Sequence, residues 1–313
     1  MMSLLFGKYT FHCTFTRDAT LPEFKGSTFR GVFGRALKQT VCALKHQACD
    51  QCLLKEKCLY CVTFETHVLA STKETKQPNR PHPFVIVPPL SPQTSFQKGE
   101  AFAFDLLLFG PVNDSLPYFV YALDQMGKIG VGRQVEGERG AFQLGQVRQN
   151  NTIIYNAKEG TLKPHAPAVL DVPWDHSASG RDRTITATLL TPLRLKRNNH
   201  LHDQLPFHVL IRAMLRRASS LFDWYGRKPP AFDYKGLIEK AEHIETIRSD
   251  IRWQDWRRYS SRQKDAMLLG GMTGTIAYRG DVGEFLPLIH FCEQVNIGKQ
   301  TAFGLGRFSI KII

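Results

Sequence analysis

The sequence predicts an α+β fold built from two similar halves. Two observations predict it. The two halves close with similar segments, and strand-like and helix-like segments alternate in the same order in each half. These closing segments, which we call the endings, begin at Asp114 and Asp281. Each has an aspartate suited to a helix N-cap, a proline in an early turn, a glycine-rich loop and a Gly-x-Phe strand. Phe142 and Phe308, in the two closing strands, lie 166 positions apart in a chain of 313 residues, which indicates a duplicated domain.

In the first half, alternating residues predict a strand over Leu4–Phe15. Apolar residues at helical spacing then predict a helix from about Phe29 to Leu44. A cysteine-rich segment follows, and then strands at Phe84–Val87 and Ala101–Phe109. Together with the helix and strand of the first ending, this is the β-α-β-β-α-β order of the ferredoxin-like fold.

The second half repeats this order with one addition. Alternation predicts a strand over Arg183–Leu195, and an amphipathic helix follows over Phe207–Phe222. A charged helix around Tyr234–Arg248 is interpreted as an insertion, and strands are expected around Ile251–Ser260 and Met272–Arg279. The sequence therefore predicts tandem ferredoxin-like (RRM-like) domains.

The domain boundaries follow from composition. Residues 1–150 are expected to form the N-terminal ferredoxin-like domain with a cysteine-rich insertion, and 183–313 the C-terminal domain with the terminal glycine-rich loop. Residues 151–182 carry several prolines and a glycine, which is typical of a linker.

Charge and hydrophobicity limit the classes of function. The chain has 41 Lys and Arg against 28 Asp and Glu, a formal charge of +13, which favours a polyanionic partner. Hydrophobic residues make up 42%, enough for ordinary cores, so disorder is not expected. The apolar runs are far shorter than the ~18–20 residues that cross a bilayer, and the N-terminus lacks a signal-peptide pattern. We expect a soluble, cytoplasmic protein without a membrane partner.

The terminal glycine-rich loop predicts an anion-binding cradle. Gly298, Gly304 and Gly306 permit close approach of the backbone, and Lys299 and Arg307 add positive charge. The loop follows a helix, whereas phosphate-binding nucleotide loops follow a strand, so no nucleotide cofactor is expected. The alternative is that the glycines only make a tight turn between a helix and a strand.

Further basic residues follow strands or alternate with aromatic side chains. Aromatic rings next to arginines are typical of proteins that stack on unpaired RNA bases. We also place Arg217 on the polar side of the second-half helix, with Arg212 and Arg216. The additional RNA-binding candidates are Arg133, Arg194, Lys196, Arg197, Arg257 and Arg258.

Several longer motifs resemble one protein family over nearly the whole chain, most strongly after residue 183. They are Phe29–Leu37, Thr191–Lys196, Leu215–Leu221, Trp253–Ser260 and Gly270–Ile276. These segments, the two halves and the basic charge resemble the CRISPR-associated endoribonucleases of the RAMP superfamily, in a subgroup with a cysteine cluster in its N-terminal half. The resemblance implies the RAMP architecture, binding of CRISPR repeat RNA, and one cut within each repeat.

The resemblance also implies the chemistry. The ribose 2′-hydroxyl attacks the adjacent phosphate without a catalytic metal, which leaves a 2′,3′-cyclic phosphate and a 5′-hydroxyl. This reaction needs a base, an acid and a cation. In the family the catalytic group is often a histidine within or just after the first helix, where this chain has His46 beside Lys45. The alternatives are His12, His67, His200 and His202.

Five of the seven cysteines lie between positions 42 and 61. In a reducing compartment, such crowding favours metal binding over disulfides. A structural zinc needs four ligands, and the resembling subgroup points to Cys42, Cys49, Cys52 and Cys58, with Cys61 as a substitute for Cys42. An iron–sulfur cluster and metal-free thiols remain alternatives.

Two other functions remain open at this point. The chain could be a non-catalytic RAMP subunit that holds repeat RNA in a CRISPR effector complex with other subunits. It could also be a more general RNA-binding enzyme that uses the cysteine-bound metal for catalysis. Cleavage in the presence of a chelator separates these two functions from the first.

Overall fold

The computed structural model describes residues 3–72, 80–135, 137–173, 180–197, 200–201, 203–228, 232–255, 257–260, 265–268 and 270–313. Within these ranges, only the backbone is described for 70–72, 197, 200–201, 257–260 and 265–268. The chain divides into two compact units. The N-terminal unit comprises 4–170 and 223–227, and the C-terminal unit comprises 1–3, 171–222 and 228–313.

The N-terminal unit is an antiparallel sheet with helices on one face. Its elements are β1 (Leu4–Phe15), β2 (Ala19–Thr20), α1 (Gly26–Val41), α2 (Leu59–Phe64), β3 (Phe84–Val87), β4 (Ser95–Phe96), β5 (Ala101–Phe109), α3 (Leu116–Ile129), β6 (Val131–Val135), β7 (Glu138–Gly140), β8 (Phe142–Gln149), β9 (Thr152–Asn156), β10 (Thr161–Leu162) and β11 (Ala168–Leu170). The sheet order is β10-β9-β8-β1-β5-β3, and β11 pairs with β1. The core order β8-β1-β5-β3 confirms the ferredoxin-like prediction for this half.

Alternation along the central strand β1 separates the two faces of this sheet. Phe11 and Phe15 are buried on the helix side, where Phe11 stacks on Phe104 at 5.4 Å. Phe29 of α1 contacts Phe104 edge-on at 5.2 Å, which joins the helix to the sheet. His12, between the buried residues, lies on the opposite face.

The C-terminal unit repeats the arrangement. It contains β12 (Arg183–Leu193), β13 (Lys196–Arg197), β14 (His200–Leu201), most of α4 (Phe207–Tyr225), α5 (Tyr234–Glu242), β15 (Glu245–Ser249), β16 (Arg252–Gln254), β17 (Arg257–Ser260), β18 (Asp265–Leu268), β19 (Gly271–Gly280), α6 (Leu286–Val295) and β20 (Phe308–Ile312). The order β15-β19-β12-β20 is again ferredoxin-like, and β16 also pairs with β19. Phe207 anchors α4 to this sheet through Tyr278 at 5.1 Å.

The structure differs from the sequence prediction in the second strand of this unit. The charged helix expected to reach Arg248 ends at Glu242, and β15 begins at Glu245. All five residues of β15 are exposed, so the strand lacks the alternation that a half-buried strand shows. The strand expected over Ile251–Ser260 is divided between β16 and β17.

The segment assigned to a linker, 151–182, also contains structure. It carries β9, β10 and β11, which extend the sheet of the N-terminal unit, and the division between the units falls at residue 171. These strands are only two to five residues long, too short for a clear periodic signal. Among the helices that the structure describes, none is both long and apolar enough to span a bilayer.

Candidate nucleic-acid interface

The glycine-rich loop between α6 and β20 is hydrogen-bonded to the end of β12. The amide of Gly306 donates to the carbonyl of Pro192 at 3.0 Å, and the amide of Lys299 donates to the carbonyl of Arg194 at 2.9 Å. The loop and the strand end therefore form one surface, with Lys299 next to Arg194.

Thr191 fixes the far end of the same loop. Its hydroxyl donates to the carbonyl of Gly304 at 2.8 Å and accepts from the amide of Arg307 at 2.9 Å. The amide of Gly304 donates to the Thr301 carbonyl at 2.7 Å. The amides of Gly304 and Gly306 are thus used inside the fold. These two amides therefore shape the loop, and the contact of the glycine-rich loop with an RNA phosphate stays a prediction.

Two positions show why the loop needs glycine. Gly298 has φ 84° and a Cβ there would lie 2.7 Å from the carbonyl oxygen of Arg194. Gly306 has φ 72° and a Cβ would lie 1.7 Å from the carbonyl oxygen of Ile297. L-residues with a side chain disfavour this backbone region, and the contacts are with backbone that has little freedom to move.

Four cationic side chains gather here, and we call them the β12 basic patch: Arg194, Lys196, Lys299 and Arg307. Lys196 and Lys299 are exposed, whereas Arg194 and Arg307 are half-buried. Arg194 Nη1 donates to the carbonyl of Gly270 at 2.8 Å, which orients its guanidinium. The patch combines positive charge with a shaped backbone, the features expected of a surface that contacts a phosphate chain.

The other expected RNA-binding residues lie elsewhere. Arg133 is exposed on β6 in the N-terminal unit. Arg197 lies in β13, and Arg257 and Arg258 lie in β17, where only the backbone is described. Trp256, which precedes Arg257 and Arg258 in the sequence, falls outside the described residues.

Arg217 has a role that differs from the one expected. It is 8% exposed, and its Nε and Nη2 atoms donate to the Val295 carbonyl at 3.2 and 2.9 Å. Nε also donates to the Asn296 carbonyl at 3.1 Å, so the guanidinium caps the C-terminus of α6. The sequence could have indicated this buried position. Arg217 lies seven residues after Leu210 and four before Leu221, a helical spacing that places it on the apolar face of α4.

His46 and Lys45 lie in the turn that follows α1. The helix ends at Val41, where the amide of Cys42 donates to the Lys38 carbonyl at 3.0 Å. Both His46 and Lys45 are exposed. Their place directly after the first helix is the one expected from the sequence, and their exposure gives them access to an RNA.

The alternative histidines occupy different environments. His12 is half-buried on β1, and its pKa is lowered by partial burial and then by the charge of Arg148, with Asp105 opposing the shift. His67 is exposed, 3.7 Å from Glu65. His200 lies in β14, where side chains are not described, and His202 falls outside the described residues.

The cysteine segment forms turns between α1 and α2. Cys42, Cys49, Cys52 and Cys58 are half-buried, whereas Cys61 is 1% exposed in α2. Burial and the neighbouring Cys49 raise the pKa of Cys61 to about 12, so the metal-free thiol is neutral. Within the described ranges, no three Cys, His, Asp or Glu side chains converge closely enough to hold a metal ion. Zinc binding by Cys42, Cys49, Cys52 and Cys58, with Cys61 as a substitute for Cys42, stays a prediction.

Comparison with known families accounts for most of the chain. Residues 188–308 match the family model of the CRISPR-associated endoribonuclease Cas6, the part that contains the β12 basic patch. Residues 4–167 match a family model described as an N-terminal domain. An uncharacterized protein of Archaeoglobus fulgidus is 26% identical over 308 residues, which is 93% of each chain.

Solved structures show the same fold. A Cas6 product complex matches with a TM-score of 0.55 and 14% identity over 99% of this chain and 100% of that one. A partial Cas6-RT-Cas1–Cas2 complex matches with a TM-score of 0.58 and 12% identity. The match covers 100% of this chain but 46% of that one, so the chain spans less than half the length of that relative.

Proposed function

The chain belongs to the CRISPR-associated Cas6-type family of RNA-cleaving enzymes, and from this we propose that it binds CRISPR repeat RNA and cuts precursor transcripts into crRNAs. The cut is an attack of the ribose 2′-oxygen on the adjacent phosphorus. The bond to the 5′-oxygen breaks, which leaves a 2′,3′-cyclic phosphate and a 5′-hydroxyl. No external water or metal takes part.

One observation of the structure carries the RNA-binding part of this proposal. The β12 basic patch places Lys299 beside Arg194 on a loop whose backbone is fixed by hydrogen bonds to β12. A cationic surface fixed in this way attracts a phosphate chain and costs little reorganisation when the RNA binds.

For catalysis, we propose His46 as general acid or base and Lys45 as the cation that stabilises the phosphorane. An imidazole takes or gives a proton near neutral pH, and an ammonium offsets the charge that develops on the phosphate. Both side chains are exposed in the turn after α1 and can reach an RNA without a rearrangement of the core.

The decisive experiment is incubation of cognate repeat RNA with the purified chain in EDTA. Cleavage at one position is expected, and a single 2′-deoxy substitution at that position should abolish it because the nucleophile is removed. Binding without any cut would favour the non-catalytic RAMP subunit, and activity that EDTA removes would favour metal-dependent catalysis.

The assignment of His46 is tested by the variant His46→Ala. We expect its single-turnover cleavage rate to fall about 10²- to 10⁴-fold, the usual contribution of a general acid or base, with RNA affinity nearly unchanged. The matched control is His243→Ala, because His243 is an exposed histidine directly after α5. This variant should cleave at the wild-type rate. A wild-type rate for His46→Ala would transfer the role to His12, His67, His200 or His202.

A further inference from the structure

The face of the N-terminal sheet opposite α1 and α3 contains a concavity of about 580 Å³. This volume lies within the roughly 300–1,000 Å³ of small-ligand sites. The floor is low because it is built from small residues, namely Ala101 and Ala103 of β5 and Gly145 of β8. A β-bulge between His12 and Cys13 accompanies Gly145 and interrupts the regular pairing there.

Polar side chains cross this concavity in one row. His12 of β1 is paired directly with Ala103 on one side and with Gln146 of β8 on the other, and Gln146 is paired with Asn156 of β9. Directly paired residues share a face of the sheet, and adjacent strands lie about 4.8 Å apart. The row therefore offers an imidazole ring followed by two carboxamides, over small neighbours that leave room for a planar group.

The charges around the row are unbalanced. The carboxylate of Asp105 is engaged by the Thr10 hydroxyl at 2.7 Å and by Lys8 at 3.4 Å. Arg148, close enough to His12 to lower its pKa, makes no ion pair among the described residues, and its buried Nε makes no hydrogen bond there. A buried guanidinium nitrogen without an acceptor is uncommon and indicates that the group awaits one.

These features together define the ligand. Partial burial and then the charge of Arg148 lower the pKa of His12, which favours an uncharged aromatic ring with one donor and one acceptor over a second cation. Asn156 Oδ1 already accepts from the amide of Lys158 at 3.0 Å, which directs its NH₂ group to other partners. A ring to stack on, amides for a polar edge and one cation for a phosphate match a single nucleotide.

We propose that this concavity binds one unpaired nucleotide of a single-stranded RNA segment. His12 stacks on the base, and Gln146 and Asn156 bind its hydrogen-bonding edge. Arg148 contacts an adjacent phosphate. The inference rests on the proposed function for the RNA partner, and it adds a base-reading site in the N-terminal unit, built from residues that belong neither to the β12 basic patch nor to the proposed catalytic pair of His46 and Lys45.

The test uses the full-length chain and fluorescently labelled single-stranded homopolymers of adenosine, uridine and cytidine, which contain no repeat and no stem. Fluorescence anisotropy gives the affinity for each. His12→Ala should weaken binding of the preferred homopolymer about tenfold, the effect of losing one stacking contact. His12→Phe keeps a ring and should retain most of the affinity, and Gln146→Ala should reduce the preference among bases.

Gln143→Ala is the matched control, because Gln143 is an exposed glutamine of the same strand outside the concavity, and it should bind as the wild type does. Wild-type affinity and preference in His12→Ala would overturn the inference. So would a loss of cleavage at saturating repeat RNA with unchanged homopolymer binding, since that result would assign His12 to catalysis. The homopolymers need not be cut, so a chain that never cleaves repeat RNA would refute the proposed function without affecting this result.

Discussion

Left-handed backbone residues give the terminal loop its shape. Asn296, Gln300 and Gly304 have φ values of 55°, 61° and 82°, in addition to Gly298 and Gly306. The Asn296 side chain donates to the Leu305 carbonyl at 3.1 Å, which compensates for its strained backbone. The loop is therefore a defined conformation, maintained by particular residues, and not a flexible segment.

Gly306→Ala should destabilise the C-terminal unit and reduce RNA affinity together. The positive φ alone costs about 1–2 kcal/mol, and the clash of the new Cβ with the Ile297 carbonyl adds more, so we expect a loss of roughly 3 kcal/mol or more in the free energy of unfolding. Urea unfolding followed by circular dichroism measures it.

Gly160→Ala separates the energetic cost of the positive φ from the cost of the steric clash. Gly160 has φ 67°, but a Cβ there meets no atom within 4 Å. This variant should therefore lose only the backbone contribution and keep full RNA affinity. Equal losses in the two variants would show that the close approach of Gly306 to Ile297 is unimportant.

At the scale of elements, the C-terminus of α6 is the connection between the core and the loop. Arg217 donates to the carbonyls of Val295 and Asn296, the last residue of the helix and the first residue after it. The guanidinium satisfies carbonyls that a helix end leaves without partners and also complements the helix dipole. The sequence placed Arg217 on the polar side of the helix with other RNA-binding candidates. In the structure it instead stabilises the helix end that leads into the loop of the β12 basic patch.

Arg217→Met should lower the free energy of unfolding by about 3 kcal/mol, because it leaves buried carbonyls without donors. Arg216→Met is the control, since Arg216 is the exposed neighbour on the same helix and surface changes usually stay within about 0.5 kcal/mol. Chemical denaturation of both variants makes the comparison. If Arg216→Met were the more destabilised, the capping role would be wrong.

The cysteine segment allows a prediction about reactivity. Burial raises the pKa values of Cys13, Cys61 and Cys292. A raised pKa means that less of the thiol is present as the reactive thiolate at a given pH. At pH 8, the pKa of about 12 for Cys61 leaves about one thiolate in ten thousand. These three thiols should resist iodoacetamide in the folded chain. The half-buried set should react, namely Cys42, Cys49, Cys52 and Cys58, with Cys49 the slowest of the four because partial burial also raises its pKa.

Added zinc should protect that half-buried set if the predicted zinc site forms, because the four thiols must then come together around the ion. Mass spectrometry after alkylation counts the modified cysteines with and without zinc. Denatured chain is the control, in which all seven cysteines should react. Unchanged labelling in the presence of zinc, together with purified protein that contains far less than one metal ion per chain, would reject the zinc site.

For the whole molecule, the duplicated ending was the most informative feature of the sequence. It placed Phe142 and Phe308 in equivalent strands, β8 and β20, and each pairs with the first strand of its own unit. The sequence predicted strands less well where apolar and polar residues do not alternate. Strand β15 is wholly exposed, and strands β9 to β11 are too short to show an alternation. The concavity at His12 was not predictable, because it depends on small residues brought together from separate strands.

Net charge acts at this same scale, through the salt dependence of RNA binding. Each phosphate contact releases bound counterions, so log Kd changes with log salt by about 0.7 per contact for a single strand and about 0.9 for a duplex. Lys299→Ala and Arg307→Ala should each reduce the slope by about that amount and weaken binding similarly for all sequences. Titrations of labelled repeat RNA over a series of KCl concentrations give the slopes.

The matched control is Lys311→Ala, an exposed lysine on β20 beyond the loop. Lys311 carries the same charge as Lys299, so replacing either lysine by alanine lowers the net charge of +13 by the same amount. If RNA lies on the β12 basic patch, only the two patch variants change the slope, because counterion release requires contact with a phosphate. Equal slopes for all three variants would mean that the patch contributes only general attraction and that the RNA contacts another surface.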